Sequence, residues 1–273
     1  MNWIPPGVDT TKATMARVYD YWLGGEHNFR ADQDAARSIM AVDPRVPAMA
    51  RANRAFLRRA VRYMAGEGGI RQFLDVGSGI PTQQNVHEIA HEAAPGSRVV
   101  YVDKDDVAVA HSRQILDRSP HATVIQADLR DPGRILGHPE VRRLLDFSQP
   151  VGLLLLAVLH LIPDSDGPEQ ILKNLRGALV QGSYLAISHA CPDVDPDGVA
   201  AFQAVYNDRV AGTAVGRTRE EIARFLNGFT LVRPGLVRLA EWRPESPADG
   251  PEDPADFPLL AGVGRLGRGS SRT

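Results

Sequence analysis

The chain has one cysteine, three lysines and no long apolar run, and each shortage narrows what it can be. A lone Cys191 leaves no intrachain disulfide and no cysteine-rich zinc site, and it suits a reducing, cytoplasmic setting. The longest apolar stretch, Val151 to Leu159, is far shorter than the roughly 20 residues needed to span a bilayer. The opening Met1-Asn2-Trp3-Ile4-Pro5-Pro6 lacks the basic segment and apolar stretch of a signal peptide, so no membrane partner is expected. Positive charge is not in excess either. A net charge of -2 argues against binding nucleic acid by bulk electrostatics. Nothing in the sequence specifies an oligomeric state.

What is present has an order. Residues 1–70 carry no strand-like run and hold an aromatic segment at 19–29 and a helical pattern from about Arg45 to Met64. Its apolar face is Met49, Phe56, Leu57, Ala60, Val61 and Met64, at helical spacing. These residues are expected to form a helical cap, and residues 71–273 a Rossmann-like domain in one compact unit with it. Apolar strands are expected at 71–76, 98–102, 122–126, 151–157 and 183–188, separated by helical stretches, a pattern that implies a mostly parallel α/β sheet. The run Val151 to Ala157 is apolar throughout, as a central strand covered on both faces should be. Later strands are expected at 229–233, 236–241 and 258–263, with the insert 243–257 as a loop and 264–273 as a frayed or surface tail. A seven-stranded sheet with one antiparallel strand is the resulting fold.

Asp75-Val76-Gly77-Ser78-Gly79 follows the first of these strands, and the second ends in Tyr101-Val102-Asp103. A glycine turn lets backbone approach a ligand closely, and an acid ending the next strand offers a carboxylate to a ribose diol. A dinucleotide site asks for a third glycine, where this chain has Thr82. Asp75 stands two residues before the first glycine, and Pro81 is expected to open the following helix. A diphosphate has no use for that carboxylate, whereas a ligand carrying an amino group and a sulfonium does. The balance points to S-adenosyl-L-methionine.

The ordered series Asp75-Val-Gly-Ser-Gly, Tyr101-Val102-Asp103 and Ala127-Asp128-Leu129 resembles the motifs of class I S-adenosylmethionine-dependent methyltransferases. That resemblance implies that Gly77 and Gly79 lie against the methionine and ribose, that Asp103 takes the ribose hydroxyls, and that Asp128 meets the adenine amino group. Asp75, Ser78, Lys104, Leu129 and Ala157 complete the expected cofactor set around them. A narrower similarity comes from Ala16-Arg17-Val18-Tyr19-Asp20-Tyr21-Trp22-Leu23-Gly24-Gly25-Glu26-His27-Asn28-Phe29, Arg51 to Phe56, and Phe73 to Thr82. These resemble a bacterial methyltransferase family first catalogued as domain-of-unknown-function family 574.

Beyond the donor, the sequence offers candidates of another kind. Tyr21, Gly25 and Asn28 are read as a lid over the cofactor, since aromatic faces stabilise a cation and paired glycines allow close approach. His160, just past the fourth strand, is a candidate general base at the sheet edge where ligands of open α/β folds bind, and Tyr21 could also act there. Cys191 reads as a small buried hydrophobe, and Asp193, Asp195 and Asp197 as a capped turn without the acid that completes a calcium loop. Arg51, Arg54, Arg58 and Arg62 fall on one helical stripe, by default a solvated face. The expected activity is in-line methyl transfer to a small-molecule acceptor. A non-catalytic S-adenosylmethionine-binding regulator and an NAD(P)-dependent oxidoreductase are the alternatives.

Overall fold

The computed structural model describes residues 8–81, 84–117, 119–245 and 257–267. Thr82, Pro5 and Pro6, and most of the insert at 243–257 lie outside them. The N-terminal part forms three helices, α1 (Met15–Trp22), α2 (Arg30–Val42) and α3 (Val46–Ala65). Strands then alternate with helices: β1 (Gln72–Val76), α4 (Val86–Ala93), β2 (Arg98–Asp103), α5 (Asp106–Leu116) and β3 (Ala122–Gln126). There follow α6 (Pro132–Gly137), α7 (Pro139–Leu144), β4 (Gly152–Leu156), α8 (Pro168–Gly177) and β5 (Tyr184–Ala190). The chain closes with α9 (Pro196–Arg209), α10 (Arg219–Phe225), β6 (Phe229–Leu231), β7 (Val237–Arg238) and β8 (Leu259–Leu266).

The sheet order is β3-β2-β1-β4-β5-β8-β6, with the two-residue β7 paired to β8 off this path. Pairs among β1 to β5 are parallel, and β8 runs against β5, β6 and β7. The described sheet therefore has eight strands where seven were expected, and one of them is reversed. Between β1 and β4 the chain direction of winding switches, so their carboxyl ends open a crevice.

Strand alternation explains the apolar run at β4. Leu153 and Leu155 face one cluster with Leu74, Val76, Val100 and Val102, while Leu154 and Leu156 face the other with Phe73 and Val99. The second cluster also receives Val18, Trp22, Met49, Phe56, Ala60 and Met64, so α1 and α3 cover that face of the sheet. All six apolar positions read on α3 are buried. On its outer side, Arg62 pairs with Glu92 and Glu245 at 3.3 and 3.1 Å.

Three local expectations are corrected. The helix after the glycine turn starts at Val86, not Pro81, because Glu88 reaches back to the Asn85 amide at 2.6 Å and fixes the first turn there. Strand β8 continues to Leu266, through part of the expected tail, because Leu266 pairs with Phe229. The strand expected over 236–241 stops at Arg238: Arg59 donates to the Leu239 and Trp242 carbonyls at 2.6 and 2.8 Å, drawing that backbone into a 3-10 turn against α3. Trp242 is fully buried there, edge-on to Phe56.

Candidate functional site

A cleft of about 430 Å³ opens at the carboxyl ends of β1 to β4. Its floor is the glycine turn. Gly77 has φ +76 and Gly79 φ +67, conformations that side chains avoid. A Cβ on Gly77 would lie 2.4 Å from Val158 Cγ2. The amides of Gly77 and Ser78 donate to the Val102 carbonyl at 2.8 and 3.2 Å, stitching the turn to the end of β2.

Asp103 is buried and holds this turn from the other side. Its Oδ2 accepts from the Gly79 amide at 2.7 Å and its Oδ1 from the Asp105 amide at 2.9 Å. The carboxylate keeps acceptor capacity beyond its backbone bonds for a ligand. Burial still pushes the Asp103 pKa up, the backbone hydrogen bonds opposing it. Asp75 is pushed to about 7 by burial, with Arg54 opposing and Asp103 adding to the rise. Asp128 differs, because the Arg130 side chain grips it at 3.0 and 2.9 Å. Burial raises the Asp128 pKa, but its bonds to Arg130 outweigh this and leave it below the ordinary value.

The roof is residues 8–17. Thr14 donates from Oγ1 to Asp105 Oδ2 at 2.6 Å, and Arg17 donates to Thr14 Oγ1 at 3.0 Å while pairing with buried Asp32 at 3.2 Å. Ala13 bridges Val210, so the loop after α9 closes the same side. At the far wall Ala157 sits at φ +52, a left-handed conformation that costs a non-glycine residue roughly 1–2 kcal/mol. Its amide is held by Ser188 Oγ at 2.8 Å, Ser188 donates to Asn53 Oδ1 at 2.6 Å, and Asn53 donates to the Tyr19 hydroxyl at 3.1 Å.

The structure gathers Asp75, Gly77, Ser78, Gly79, Asp103, Lys104, Asp128, Leu129 and Ala157 around this one cleft. It does not bring Tyr21, Gly25 or Asn28 there. The Arg37 guanidinium lies 5.7 Å from the Tyr21 ring centroid. Gly25 and Asn28 belong to a turn built on Asp20, whose Oδ2 accepts from Asn28 Nδ2 at 2.8 Å; a Cβ on Gly25 would lie 2.0 Å from Asp20 Oδ1. The glycine is thus required by Asp20 packing. Among the described residues the aromatics that line the cleft are Tyr19 and Tyr206, and Tyr19 shares a helical face with Met15, Val18 and Trp22. Applying the helical period to α1 would have selected it over Tyr21.

His160 lies outside the large cleft as well. It lines a second cavity of about 80 Å³, which shares Met15, Tyr19, Asn53 and Ala157 with the first. Burial, with Arg217 adding, holds the His160 pKa down to about 4. His189 packs edge-on against it at 5.5 Å, with its own ring nitrogens at 2.7 Å from the Ala190 carbonyl and 3.0 Å from Arg217. Cys191 is buried and Asp195 caps α9, both as read. Among the described residues no group of three or more His, Cys, Asp or Glu side chains is placed to hold a metal, and no helix is long and apolar enough to cross a membrane.

The family model described as S-adenosyl methyltransferase matches residues 1–267. The chain belongs to that family. A Thermobifida fusca YX protein, solved as a candidate methyltransferase, is 41% identical to this methyltransferase, with a TM-score of 0.92 over 98% of this chain and 100% of its own. A family-574 protein of Streptomyces avermitilis MA-4680 is 39% identical, with a TM-score of 0.90 over 94% of this chain and 98% of its own. The plantazolicin methyltransferase, solved with S-adenosylhomocysteine, shares the fold alone, at 12% identity and a TM-score of 0.55 over 92% of this chain and 95% of its own. No curated protein matched the sequence.

The fold is that of the class I methyltransferases and the cofactor is S-adenosyl-L-methionine. The cleft of this methyltransferase suits it on local grounds too. Ser78 Oγ is buried with no partner among the described residues, and Asp75 is a carboxyl whose ionisation a bound cation would favour.

Proposed function

We propose that this methyltransferase acts on a small-molecule acceptor by direct transfer, with Asp103 taking the ribose hydroxyls, Asp128 the adenine amino group and Asp75 the amino group of the donor. Gly77 to Gly79 would lie along the methionine and ribose, with Ser78 Oγ donating to the ligand. Bound S-adenosylmethionine supplies an electrophilic methyl group on a sulfonium. The chain's own contribution is alignment, which can provide about 7–11 kcal/mol of barrier lowering.

The observation that carries the acceptor reading is the meeting of two cavities. The smaller shares Tyr19, Asn53 and Ala157 with the donor cleft as lining residues, and those three are fixed by the hydrogen-bond chain through Ser188. An acceptor in the smaller space would lie next to a donor in the larger one, with Tyr19, Asn53 and Ala157 at the junction. Its size, about 80 Å³, suits a small molecule or one end of it. Incubation with methyl-labelled S-adenosylmethionine and fractionated cell extract tests this. Label in a small-molecule fraction is the expected result; label confined to protein or RNA would overturn it.

A further inference from the structure

The smaller cavity has a chemistry of its own. Most of its wall is apolar, with Trp22, Met49, Val199, Phe202 and Leu259 among the lining residues. Its polar side chains are nearly all engaged. Asp43 is gripped by Arg45 at 2.8 and 2.9 Å, Gln203 donates to the Ala214 carbonyl at 3.1 Å, and the Tyr19 hydroxyl donates to the Ala50 carbonyl at 3.0 Å while accepting from Asn53. The exception is His160. It is only 7% exposed, and its Nδ1 is buried with no hydrogen-bond partner among the described residues.

Nδ1 is sealed from water, so a guest hydroxyl meets it only through a small turn of the His160 ring; a buried nitrogen without a partner costs about 1–3 kcal/mol, which that contact would recover. The one carboxylate in the wall is already paired, so the cavity has no spare charge to offset a charged guest, and desolvating an ion there would be strongly unfavourable. His160 itself is neutral at physiological pH, since burial and Arg217 keep its pKa near 4. A neutral imidazole carries one donor and one acceptor, the complement of a hydroxyl. Volume limits the rest. A dry cavity of about 150 Å³ takes benzene, so about 80 Å³ holds a body of fewer atoms than an aromatic ring.

From this we infer that the cavity around His160 receives the neutral, apolar end of an alcohol, whose hydroxyl oxygen is the methyl acceptor and hydrogen-bonds to His160. The inference rests on the reading of the larger cleft as the donor site. In the transfer, an oxygen lone pair forms the new C–O bond while the C–S bond breaks, and the C–S electron pair goes to sulfur, leaving a neutral thioether. The oxygen then carries an oxonium proton, far more acidic than an imidazolium, which passes to the unprotonated ring nitrogen of His160. One positive charge is present before and after the step, and His160 returns its proton to solvent when the product leaves.

The test uses the full chain saturated with S-adenosylhomocysteine and three fluorine probes smaller than an aromatic ring: 2-fluoroethanol, 2-fluoroethylammonium and fluoroacetate. Fluorine NMR should show line broadening for the alcohol and none for the two ions. Val215→Trp fills the rim of the cavity beside His160, whose carbonyl accepts from the Val215 amide at 2.7 Å. That variant and His160→Leu should each lose the alcohol signal while keeping S-adenosylhomocysteine affinity within about twofold. Equal broadening of an ion, no broadening of the alcohol by the wild-type chain, or alcohol broadening that persists in both variants would overturn the inference. Failure of S-adenosylhomocysteine to bind the wild-type chain would instead strike the donor reading, and the three probes without it still report on the cavity alone.

Discussion

The Gly79 amide and the Asp103 carboxylate are joined at 2.7 Å, so the glycine turn and the acid at the end of β2 form one unit. The acid positions the turn and presents its remaining lone pairs to the cleft. Asp103→Asn replaces an oxygen that accepts from backbone N–H with a group that must turn one donor toward a donor. Hydrogen bonds to a charged group contribute about 1.5–3 kcal/mol each, so S-adenosylmethionine binding should weaken by roughly 10- to 100-fold. Calorimetric titration reads this directly, and an unchanged affinity would remove the ribose assignment.

With Asp75 at the donor's amino group, as proposed, donor binding should depend on pH. Its pKa in the folded chain is raised from 3.8 to about 7, so below pH 7 the carboxyl is mostly protonated. A cationic ligand needs the ionised form, so affinity should rise by about tenfold per pH unit up to pH 7 and level off above it. The sign for folding is opposite. Between the unfolded and folded pKa values the native state binds the extra proton, so the stability it confers is lost as pH rises through about 7. Asp75→Asn should therefore flatten the affinity profile and raise the melting temperature at pH 8 relative to the wild type. An affinity profile that keeps its slope in this variant would assign the titration to another group.

Gly77 is constrained twice, by its positive φ and by Val158. In Gly77→Ala the new Cβ would meet Val158 Cγ2 at 2.4 Å, and strain of this kind with overpacking costs about 2–4 kcal/mol. Gly77→Ala with Val158→Gly removes both Cγ2 and the Cβ that would lie 2.8 Å away and leaves the backbone penalty, so chemical denaturation, read against Val158→Gly alone, should show partial recovery. Full recovery would mean that φ carries no cost there; none would mean that Val158 is not the obstacle.

The sequence made the centre of the fold readable because its signals are periodic and local. Leu153 to Leu156 alternate between two covered faces, and six apolar positions on α3 share one side. Asp75 beside the end of β1 and Asp103 at the end of β2 are legible for the same reason, since strand ends dictate where side chains emerge. What escaped depends on distant partners. Helical period places Tyr19 with Met15, Val18 and Trp22, but its bond to Asn53 spans two helices and depends on where α1 docks. Val86 replaces Pro81 as the helix start because Glu88 completes a cap, and the strand expected to 241 ends early because Arg59 captures its carbonyls. Gly25 and Asn28, expected at the cofactor, lie in the turn around Asp20.

Arg59 also joins segments separated by about 180 positions in the chain, binding the carbonyls of Leu239 and Trp242 from α3. The stretch that bears every donor motif, from β1 to β5, leaves Phe73, Val99 and Tyr184 on a sheet face covered by residues that precede it and by the segment Arg59 anchors. Excised alone, that stretch would keep each acid and glycine of the motif series and expose a continuous oily surface to water. Motif and folding unit are therefore different lengths of chain: the first can be recognised in about 120 residues, while the second requires both flanks to close over it.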